Sequence, residues 1–341
     1  MNEKTGNNTF MAEETKIQTT NDSTEPNVLF RNENKISSWV ANPYLQLATS
    51  NNTRKAYRSD IKQFENWGGK LPATPELVVN YLQEHAASKN SRTLARRLIA
   101  IRHWHSYQGF PDPTAHPIVA KMMIGITRTH GKPKEKAPPL LPEDLQKIVT
   151  ALAQDSSLIA TRDNALLQIG YFGALRRSEI INIHYEHITW QTEGIEILLP
   201  ASKTDQIHEG QHCSIPYGND LLCPIKALEA WLQKSNINQG AIFRRVIQNK
   251  IKNNSPLTPL TVNHIIQRCA KLANLSNSAD ITPHSLRRGL ATSAARAKAS
   301  IQTIMRAGRW KQVNTVMEYI EASERFSDSA ATSVLVNMKN A

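Results

Sequence analysis

TPHSLRRG, at residues 282–289, is the stretch on which the interpretation of this sequence depends. It is followed by AGRW at 307–310 and by MEYI at 317–320. His284 and Arg287 stand three residues apart, so a single helical turn can present both side chains to one site. The segment therefore predicts an imidazole and a guanidinium that act at the same place.

Each residue of these segments has an ordinary structural explanation when it is taken alone. His284 can cap a helix, Trp310 can fill a core, and Tyr319 can pack from one face of an amphipathic helix. These explanations are independent of one another, and no single one accounts for all three residues. We therefore interpret the set as a functional site.

Two upstream segments add charged residues to this set. GALRRSEI at 173–180 places Arg176 and Glu179 three residues apart, where a carboxylate can orient a guanidinium from the same helical face. PASKT at 200–204 places Lys203 at the expected tip of a hairpin. Taken alone, the first is a common surface ion pair and the second is a solvated lysine.

Together the segments resemble the signature of the tyrosine recombinases, the phage integrase family. The H-x-x-R box is followed by a tryptophan 23 residues after its arginine and by a tyrosine nine residues later, and an A-L-R-x-x-E box precedes it. The run T-x-x-x-Y-x-x-D-I-x-x-F-x-x-W from Thr53 to Trp67 resembles the core-binding domain of the family. Many members carry histidine at the position of Trp310. A tryptophan there makes the chain most similar to the Cre-like members. The resemblance covers residues 40 to 338 or so.

The resemblance implies transesterification at a DNA phosphodiester. Tyr319 would attack the phosphorus and form a 3′-phosphotyrosyl bond. Arg176 and Arg287 would bind the non-bridging oxygens, because the planar guanidinium fork matches phosphate geometry. Lys203 would protonate the departing 5′-oxygen. No ATP is expected, since the phosphotyrosyl bond keeps the energy of the phosphoester. No carboxylate pair or His/Cys cluster with metal-ligand spacing accompanies this set, so a reaction without a metal ion or other cofactor is expected.

The remaining residues of the set have supporting parts in the same chemistry. His284 would hydrogen-bond the phosphate and assist proton transfer from Tyr319. Trp310 would pack against that phosphate or donate its indole N–H to it. Glu179 would orient Arg176 and His284 rather than react.

Two features depart from the family pattern. Arg309 stands where glycine is common. Arg177 and Arg288 directly follow Arg176 and Arg287, the two phosphate-binding arginines that we call the clamp. Spacing selects Arg176 and Arg287 for the clamp. It leaves open that an adjacent arginine shares the phosphate contacts.

Length and composition indicate two domains, because 341 residues exceed what one core comfortably supports. No run approaches the roughly 18 apolar residues of a membrane span, and the amino terminus shows no signal-peptide pattern. A soluble cytoplasmic protein is therefore expected. Cys213, Cys223 and Cys269 lack metal-ligand spacing, which predicts reduced core thiols and no metal site.

The net charge of +12 is concentrated in one part of the chain. Residues 51–136 carry fifteen Lys or Arg and six Asp or Glu. Such a segment favours a polyanion partner, because each neutralised phosphate releases condensed counterions. Charge alone fits ribosomal or chromatin proteins equally well, and the motifs make double-stranded DNA the expected partner.

Composition and turn signals divide the chain into four segments. Residues 1–34 are rich in Asn, Thr and Glu, which predicts a disordered leader. A helical, SAM-like core-binding domain is expected over 35–130, a connection rich in proline and charge over 131–139, and the catalytic domain over 140–341. The expected fold class is mainly α (α+β), with a small antiparallel hairpin in an otherwise helical catalytic domain.

Periodicity and capping residues place the elements within these domains. An apolar stripe from Tyr57 to Trp67 predicts a first helix, and Thr74 followed by Pro75 predicts the start of a second. Further helices are expected near 91–108, 116–127, 142–153 and 161–174, strands near 195–199 and 211–216, and mainly helices from 220 onward.

Basic side chains off the apolar stripes are the candidates for DNA contact in the core-binding domain. Phosphate contacts would supply most of the affinity, and a few base-edge contacts would read sequence. The helix near 91–108 is the first candidate to enter the major groove. The candidate residues are Arg54, Lys55, Arg58, Arg92, Arg96, Arg97 and Arg102.

The resemblance also implies an assembly. Ala331, Val334, Leu335 and Met338 recur at helical spacing, and this terminal helix would either pack on its own domain or dock into a neighbouring copy. Docking would join four protomers on DNA, from a protein that is a monomer when free. Accessory proteins and the target site stay open.

Other functions share parts of the same signature. A type IB topoisomerase or a telomere resolvase would use the same tyrosine chemistry and differ in whether strands are exchanged. A DNA-binding regulator would keep the fold without catalysis, and the intact Arg, Lys, His, Arg, Trp and Tyr set argues against it.

Overall fold

The computed structural model describes residues 48–133, 135–200, 210–219, 221–324 and 338. The chain divides into two units, residues 1–134 and 135–341. Several predicted features lie outside the described residues: the leader at 1–34, Lys203, and Ala331, Val334 and Leu335 of the terminal helix.

The described part of the amino-terminal unit is a bundle of helices. These are α1 (Asn51–Trp67), α2 (Pro75–His85), α3 (Ser91–Tyr107), a short 3-10 turn (Pro113–Ala115) and α4 (Pro117–His130). The helices predicted from periodicity are confirmed, and α4 continues three residues past its predicted end.

Local sequence explains where these helices begin and how they pack. Thr74 Oγ1 accepts a hydrogen bond from the backbone N–H of Leu77 at 3.2 Å, and Pro75 occupies the first helical position. Phe64 of α1 is fully buried, and its ring meets Tyr81 of α2 edge-on with centroids 5.0 Å apart. The apolar stripe predicted on α1 therefore faces the core of this unit.

The carboxyl-terminal unit combines helices with two small antiparallel sheets, so the mainly helical fold class is confirmed. Its elements are α5 (Pro142–Ala153), α6 (Leu158–Phe172), α7 (Arg177–Ile181), β1 (Ile188–Trp190), β2 (Gly194–Leu199), β3 (Gln211–Pro216), α8 (Pro224–Ser235), β4 (Arg244–Ile247), β5 (Lys250–Pro256), α9 (Pro259–Leu272), α10 (Pro283–Arg296), α11 (Ile301–Gly308) and α12 (Val313–Glu324).

The predicted strand pair is confirmed, and helices dominate from residue 221 to 324 as expected, with a second hairpin that the sequence did not predict. Strands β2 and β3 pair antiparallel with Ile195 opposite Ile215, and β1 pairs with the other edge of β2. Strands β4 and β5 form a separate hairpin. Gln248 and Asn249 at its turn both have positive φ, 48° and 57°. Its strand β5 is exposed at most positions, so it lacks the alternating pattern that identifies a strand.

Helix α6 passes through the middle of the carboxyl-terminal unit. Ala165, Leu166, Leu167 and Ile169 are all fully buried, so apolar side chains cover several faces of this helix. Helices α5, α8 and α10 pack around it. No described helix is both long enough and apolar enough to cross a membrane.

The start of this unit is tied to helix α10. The backbone N–H of Leu140 donates to the Ser285 carbonyl at 3.0 Å. Gly289, one turn further along α10, leaves room for the backbone of Leu140, because a Cβ at that position would lie 1.9 Å from the Leu140 carbonyl oxygen. A glycine is required there by this close approach.

Candidate active site

Helix α10 carries two of the predicted site residues. Pro283 lies in its first turn, and the backbone N–H of Thr282 donates to Ser285 Oγ at 3.0 Å. His284 follows in the same turn and is exposed, whereas Arg287 is only 5 % exposed. The helix therefore presents an accessible imidazole and, one turn later, a buried guanidinium.

Arg287 is held by backbone carbonyls and an aromatic ring. Its Nη1 donates to the Ala174 carbonyl at 2.5 Å, and its Nη2 donates to the Gly308 carbonyl. The guanidinium carbon lies 4.3 Å from the ring centroid of Trp310. Burial, with the like charge of Arg176 as the next cause, lowers the pKa of Arg287 to about 9. The charged form is thus under-compensated, and an anion at this position would stabilise it.

Arg176 is paired with Glu179 as the sequence spacing predicts. It is the N-cap of the short helix α7. Its Nη1 lies 2.5 Å from Glu179 Oε1, and its backbone N–H donates to Glu179 Oε2 at 2.8 Å. The Arg176 side chain keeps 18 % of its surface exposed, so the carboxylate fixes one end of a guanidinium that solvent can still reach.

A third arginine, Arg309, reaches the same carboxylate. It ends α11 with φ of 56°, in the left-handed region. Its Nη2 lies 3.0 Å from Glu179 Oε2, and both Nη atoms donate to the Gly173 carbonyl at 3.2 Å. Sequence reasoning noted only that an arginine replaces glycine here, because the partners lie more than a hundred residues away in the chain.

The charge of Glu179 is set by burial and by these arginines. Burial alone would raise its pKa, but the charge of Arg309 and then the backbone N–H and guanidinium of Arg176 lower it below the usual glutamate value. Glu179 is therefore ionised at neutral pH. With Arg287 included, three arginines surround one carboxylate and leave an excess of positive charge.

Trp310 and Tyr319 lie next to this cluster. Their ring centroids are 5.5 Å apart, and both side chains are partly buried. Gly308 permits this placement, because a Cβ there would lie 1.8 Å from Cζ3 of the Trp310 ring. The structure thus brings Arg176, Arg287, Trp310 and Tyr319 into one region.

The connection into this unit contacts the helix that carries Tyr319. Lys136 Nζ lies 2.5 Å from Glu318 Oε2. Arg288 donates to the Ala137 carbonyl, and its guanidinium carbon lies 5.7 Å from the ring centroid of Tyr319. Arg288 therefore has partners within the fold, and Arg177, the other doubled arginine, is exposed.

Two arginines of the amino-terminal unit share the buried carboxylate of Asp60. Arg96 meets it through Nε and Nη2 at 2.8 and 2.9 Å and keeps 51 % of its side chain exposed. Arg97 is only 4 % exposed, donates to the Tyr81 hydroxyl at 2.5 Å and also contacts Gln63. We correct the expectation of an Arg97–DNA contact, because this side chain is enclosed in the bundle core.

The other predicted DNA-contact residues lie nearer the surface. Arg102 is 67 % exposed and lies 3.5 Å from Asp112. Arg54 is partly exposed and donates to the Thr49 carbonyl at 2.7 Å. Lys55, Arg58 and Arg92 are exposed as well.

Within the described ranges, no group of three or more His, Cys, Asp or Glu residues is placed to hold a metal ion. The three cysteines are buried and unpaired by disulfides. Burial raises the pKa of the Cys269 thiol to about 12, so this thiol is protonated and inert at neutral pH.

Comparison with known proteins identifies the family. Residues 139–325 match the phage integrase family, and residues 38–108 match its N-terminal SAM-like domain. The first match alone spans more than half of the chain. The chain belongs to the phage integrase family. Membership confirms the resemblance to tyrosine recombinases.

Curated relatives of this integrase-family protein are recombinases. The integrase/recombinase xerD homolog of Selenomonas ruminantium is 35 % identical over 306 residues, covering 87 % of this chain and 89 % of the relative. The recombinase cre of Escherichia phage P1 is 27 % identical over 268 residues, covering 73 % and 76 %. Despite the tryptophan at 310, Cre is thus a more distant relative than the XerD homologue.

Solved structures of the family share the fold. XerH site-specific recombinase bound to a palindromic difH substrate has a TM-score of 0.61 at 15 % identity, covering 82 % of this chain and 78 % of XerH. A lambda integrase dimer bound to a COC′ core site has a TM-score of 0.57 at 16 % identity, covering 86 % and 97 %.

Proposed function

We propose that this tyrosine recombinase cuts and rejoins duplex DNA at specific sites through a covalent 3′-phosphotyrosyl bond to Tyr319. Family membership supports the reaction class. The observation that carries the residue assignment is the excess positive charge of Arg176, Arg287 and Arg309 around Glu179, one ring away from Tyr319. A scissile phosphate placed there would supply the missing negative charge and lie beside the nucleophile.

The reaction exchanges one phosphoester for another. The Tyr319 oxygen bonds to phosphorus, the bond from phosphorus to the 5′-oxygen breaks, and the 5′-strand leaves as a hydroxyl. Arg176 and Arg287 bind the non-bridging oxygens, where charge grows in the transition state. A 5′-hydroxyl that attacks the phosphotyrosyl bond reverses the step and rejoins DNA, so no ATP is needed.

Two protons must move in this exchange. The phenolic proton leaves Tyr319 with assistance from His284, which is accessible at the start of α10. The 5′-oxygen receives a proton from Lys203, an assignment that rests on the family resemblance. Trp310 packs against the phosphate and shields it from water.

The amino-terminal unit supplies further phosphate contacts in this proposal. Its exposed and partly exposed cations can approach a DNA backbone without losing a buried partner. Arg96 and Arg102 are held by acids at their inner edge and keep an outer edge in solvent. The proposed contacts are Arg54, Lys55, Arg58, Arg92, Arg96 and Arg102.

The proposed assembly is a homotetramer on two DNA duplexes, with a free monomer and with the terminal helix docked into a neighbour. Support comes from the family resemblance and from helical spacing of apolar residues at 331–338. A protein acting on DNA in this way is expected in the bacterial cytoplasm.

Covalent trapping tests the proposal. Purified protein is incubated with nicked suicide substrates made from DNA that flanks its own gene, and adducts that resist SDS are measured. Wild-type protein should form an adduct that Tyr319→Phe loses. Tyr217→Phe, which alters an exposed tyrosine of the same unit, should keep it.

The other outcomes separate the alternatives. An adduct that persists in Tyr319→Phe would reject this nucleophile. Sequence-specific binding without an adduct would indicate a silent regulator. Cleavage without strand exchange between two sites would indicate a topoisomerase or a telomere resolvase.

A further inference from the structure

Arg309 adopts a backbone conformation that disfavours its own side chain. Its φ of 56° lies in the left-handed region, where a Cβ is strained and glycine is preferred. Its side chain is also 94 % buried, which is unfavourable for a charged group unless partners compensate. The free-energy penalty of both features must be balanced by what the guanidinium contacts.

The guanidinium of Arg309 contacts acceptors from two separate turns. Nη1 donates to the carbonyl oxygens of Ala307 and Gly173 at 3.1 and 3.2 Å. Nη2 donates to Gly173 at 3.2 Å and lies 3.0 Å from Glu179 Oε2. Arg309 therefore ties the end of α11 to the turn that precedes α7.

Both turns lead directly to the proposed phosphate clamp. The turn that precedes α7 carries Ala174, whose carbonyl accepts a hydrogen bond from Arg287, and Arg176 follows two residues later. The end of α11 carries Gly308, whose carbonyl also accepts a hydrogen bond from Arg287. A shift of either turn would thus move the acceptors of Arg287.

The way Glu179 is shared explains what Arg309 adds to the clamp. Arg309 and the backbone N–H of Arg176 occupy Oε2, and the Arg176 guanidinium meets Oε1 through Nη1. Without Arg309, Glu179 would lose one of its two side-chain cations while staying 3 % exposed. The carboxylate that fixes Arg176 depends on Arg309 for its charge balance.

We propose that Arg309 is a positioning residue, which holds Glu179 and the 173–174 turn so that Arg176 and Arg287 meet the scissile phosphate in one geometry. The inference rests on the proposed function of those two arginines. Arg309 differs from both clamp arginines, because it is paired with Glu179 and keeps only 6 % of its side chain exposed. Arg176 keeps 18 % exposed, and Arg287 meets only uncharged carbonyls, so those two are assigned to the phosphate and Arg309 is not.

The test compares Arg309→Gly and Arg309→Lys with wild type in single-turnover adduct formation. Arg309→Gly removes the guanidinium and relieves the left-handed strain. Asn236→Gly is the matched control, because Asn236 also ends a helix in the left-handed region, with φ of 53°, and lies on the surface. We expect Arg309→Gly to cleave on the order of 100-fold more slowly with unchanged DNA affinity, as misplacement of clamp groups predicts. Arg309→Lys should recover part of the rate, because it restores one charge.

The pH profile supplies a readout that loss of folding would not move. The charged and titratable groups that face Glu179 are Arg176, Arg287, Arg309 and Cys213, and burial keeps the Cys213 thiol protonated by raising its pKa. Removing Arg309 leaves burial less opposed, so the pKa of Glu179 rises. The acid limb of the cleavage rate should move to higher pH in Arg309→Gly and stay in place in Asn236→Gly.

The outcomes for Arg309 and for the proposed function are distinguishable. Wild-type protein that forms no adduct at Tyr319 overturns the proposed function and this inference with it. A wild-type adduct combined with an unchanged rate and acid limb in Arg309→Gly overturns only the role of Arg309. A slower variant whose DNA affinity also falls in proportion would assign Arg309 to DNA binding instead.

Discussion

The carboxyl-terminal unit contains two clusters, each with one buried carboxylate and several arginines. The two clusters differ in whether the excess positive charge is exposed to solvent. Asp163 is fully buried between Arg162, 2.7 Å away, and Arg268, whose side chain is 54 % exposed. Glu179 is bound by Arg176 and Arg309, with exposed side-chain fractions of 18 % and 6 %. In the Asp163 cluster, the excess positive charge is therefore solvated, because Arg268 is exposed.

No arginine of the Glu179 cluster is exposed to a comparable extent, since Arg176 keeps only 18 % of its side chain exposed. Arg287 adds a third cation that is only 5 % exposed. Its donors meet backbone carbonyls, which carry partial charge alone. A fold gains nothing in stability from a buried, under-compensated cation. The comparison therefore separates a cluster that is balanced within the fold from one whose excess charge an anionic ligand would balance, as the proposed function requires.

The largest expected effect concerns the cation that distinguishes the two clusters. Arg287→Lys should slow adduct formation by about 10² to 10³-fold, because lysine cannot bridge two phosphate oxygens as a planar fork does. The measurement is the single-turnover rate with a suicide substrate. Arg268→Lys makes the same change in the other cluster and should leave the rate close to wild type. Equal losses in both variants would remove the distinction.

Removing the carboxylate of the Asp163 cluster should affect stability rather than the cleavage rate. Asp163→Asn leaves two arginines without their carboxylate and should lower the free energy of unfolding by about 3–5 kcal/mol, as expected for a buried ion pair that loses one partner. Urea titration measures the loss. The cleavage rate per folded molecule should not change, and a selective loss of rate at full stability would contradict the structural role of Asp163.

Anion binding sharpens the comparison without DNA. Sulfate should stabilise the wild-type protein by about 1.4 kcal/mol at ten times its dissociation constant. Sulfate bound at the Glu179 cluster should raise the melting temperature of Arg268→Lys as much as that of wild type. Arg287→Lys should respond less, and an equal response in all three proteins would place the sulfate elsewhere.

The smallest expected effect is a change in the pH dependence of stability. The pKa of Glu179 is lowered in the folded protein, so its ionised form stabilises the fold above the usual value of 4.5, and this stabilisation is lost as the pH falls through the folded pKa. The stability difference between wild type and Glu179→Gln should be largest near neutral pH and shrink in acid. Each unit of pKa shift contributes about 1.4 kcal/mol. Thermal melts across the acid range measure it, and a constant difference would contradict the assignment.

Helix boundaries were predictable because their signals are local. Thr74 and Pro75 start α2 through a side-chain cap and a fixed φ, and both signals are visible in the sequence. The β4–β5 hairpin was missed because Gln248 and Asn249 are not the usual turn pair and because β5 is largely polar.

The sequence predicted that Arg176 and Glu179 lie together and that Arg287, Trp310 and Tyr319 do, whereas the charge balance of the candidate site could not be predicted. Arg287 and Tyr319 stand in motifs with fixed spacing, whereas Arg97 and Arg309 look like surface cations in the sequence. Burial of these two arginines depends on distant acids, Asp60 for Arg97 and Glu179 for Arg309, and no short window contains both partners. Only the folded chain distinguishes an arginine that supports another residue from one that meets DNA.

The tether between Leu140 and α10 bears on how chimaeras of this protein should be joined. Residues 136–140 contact both α10, which carries Arg287, and α12, which carries Tyr319. A replacement of the amino-terminal unit that keeps this segment preserves its contacts with the helices that carry the proposed clamp and the proposed nucleophile. A fusion point placed a few residues later would transplant α10 and α12 without the segment that contacts both of them.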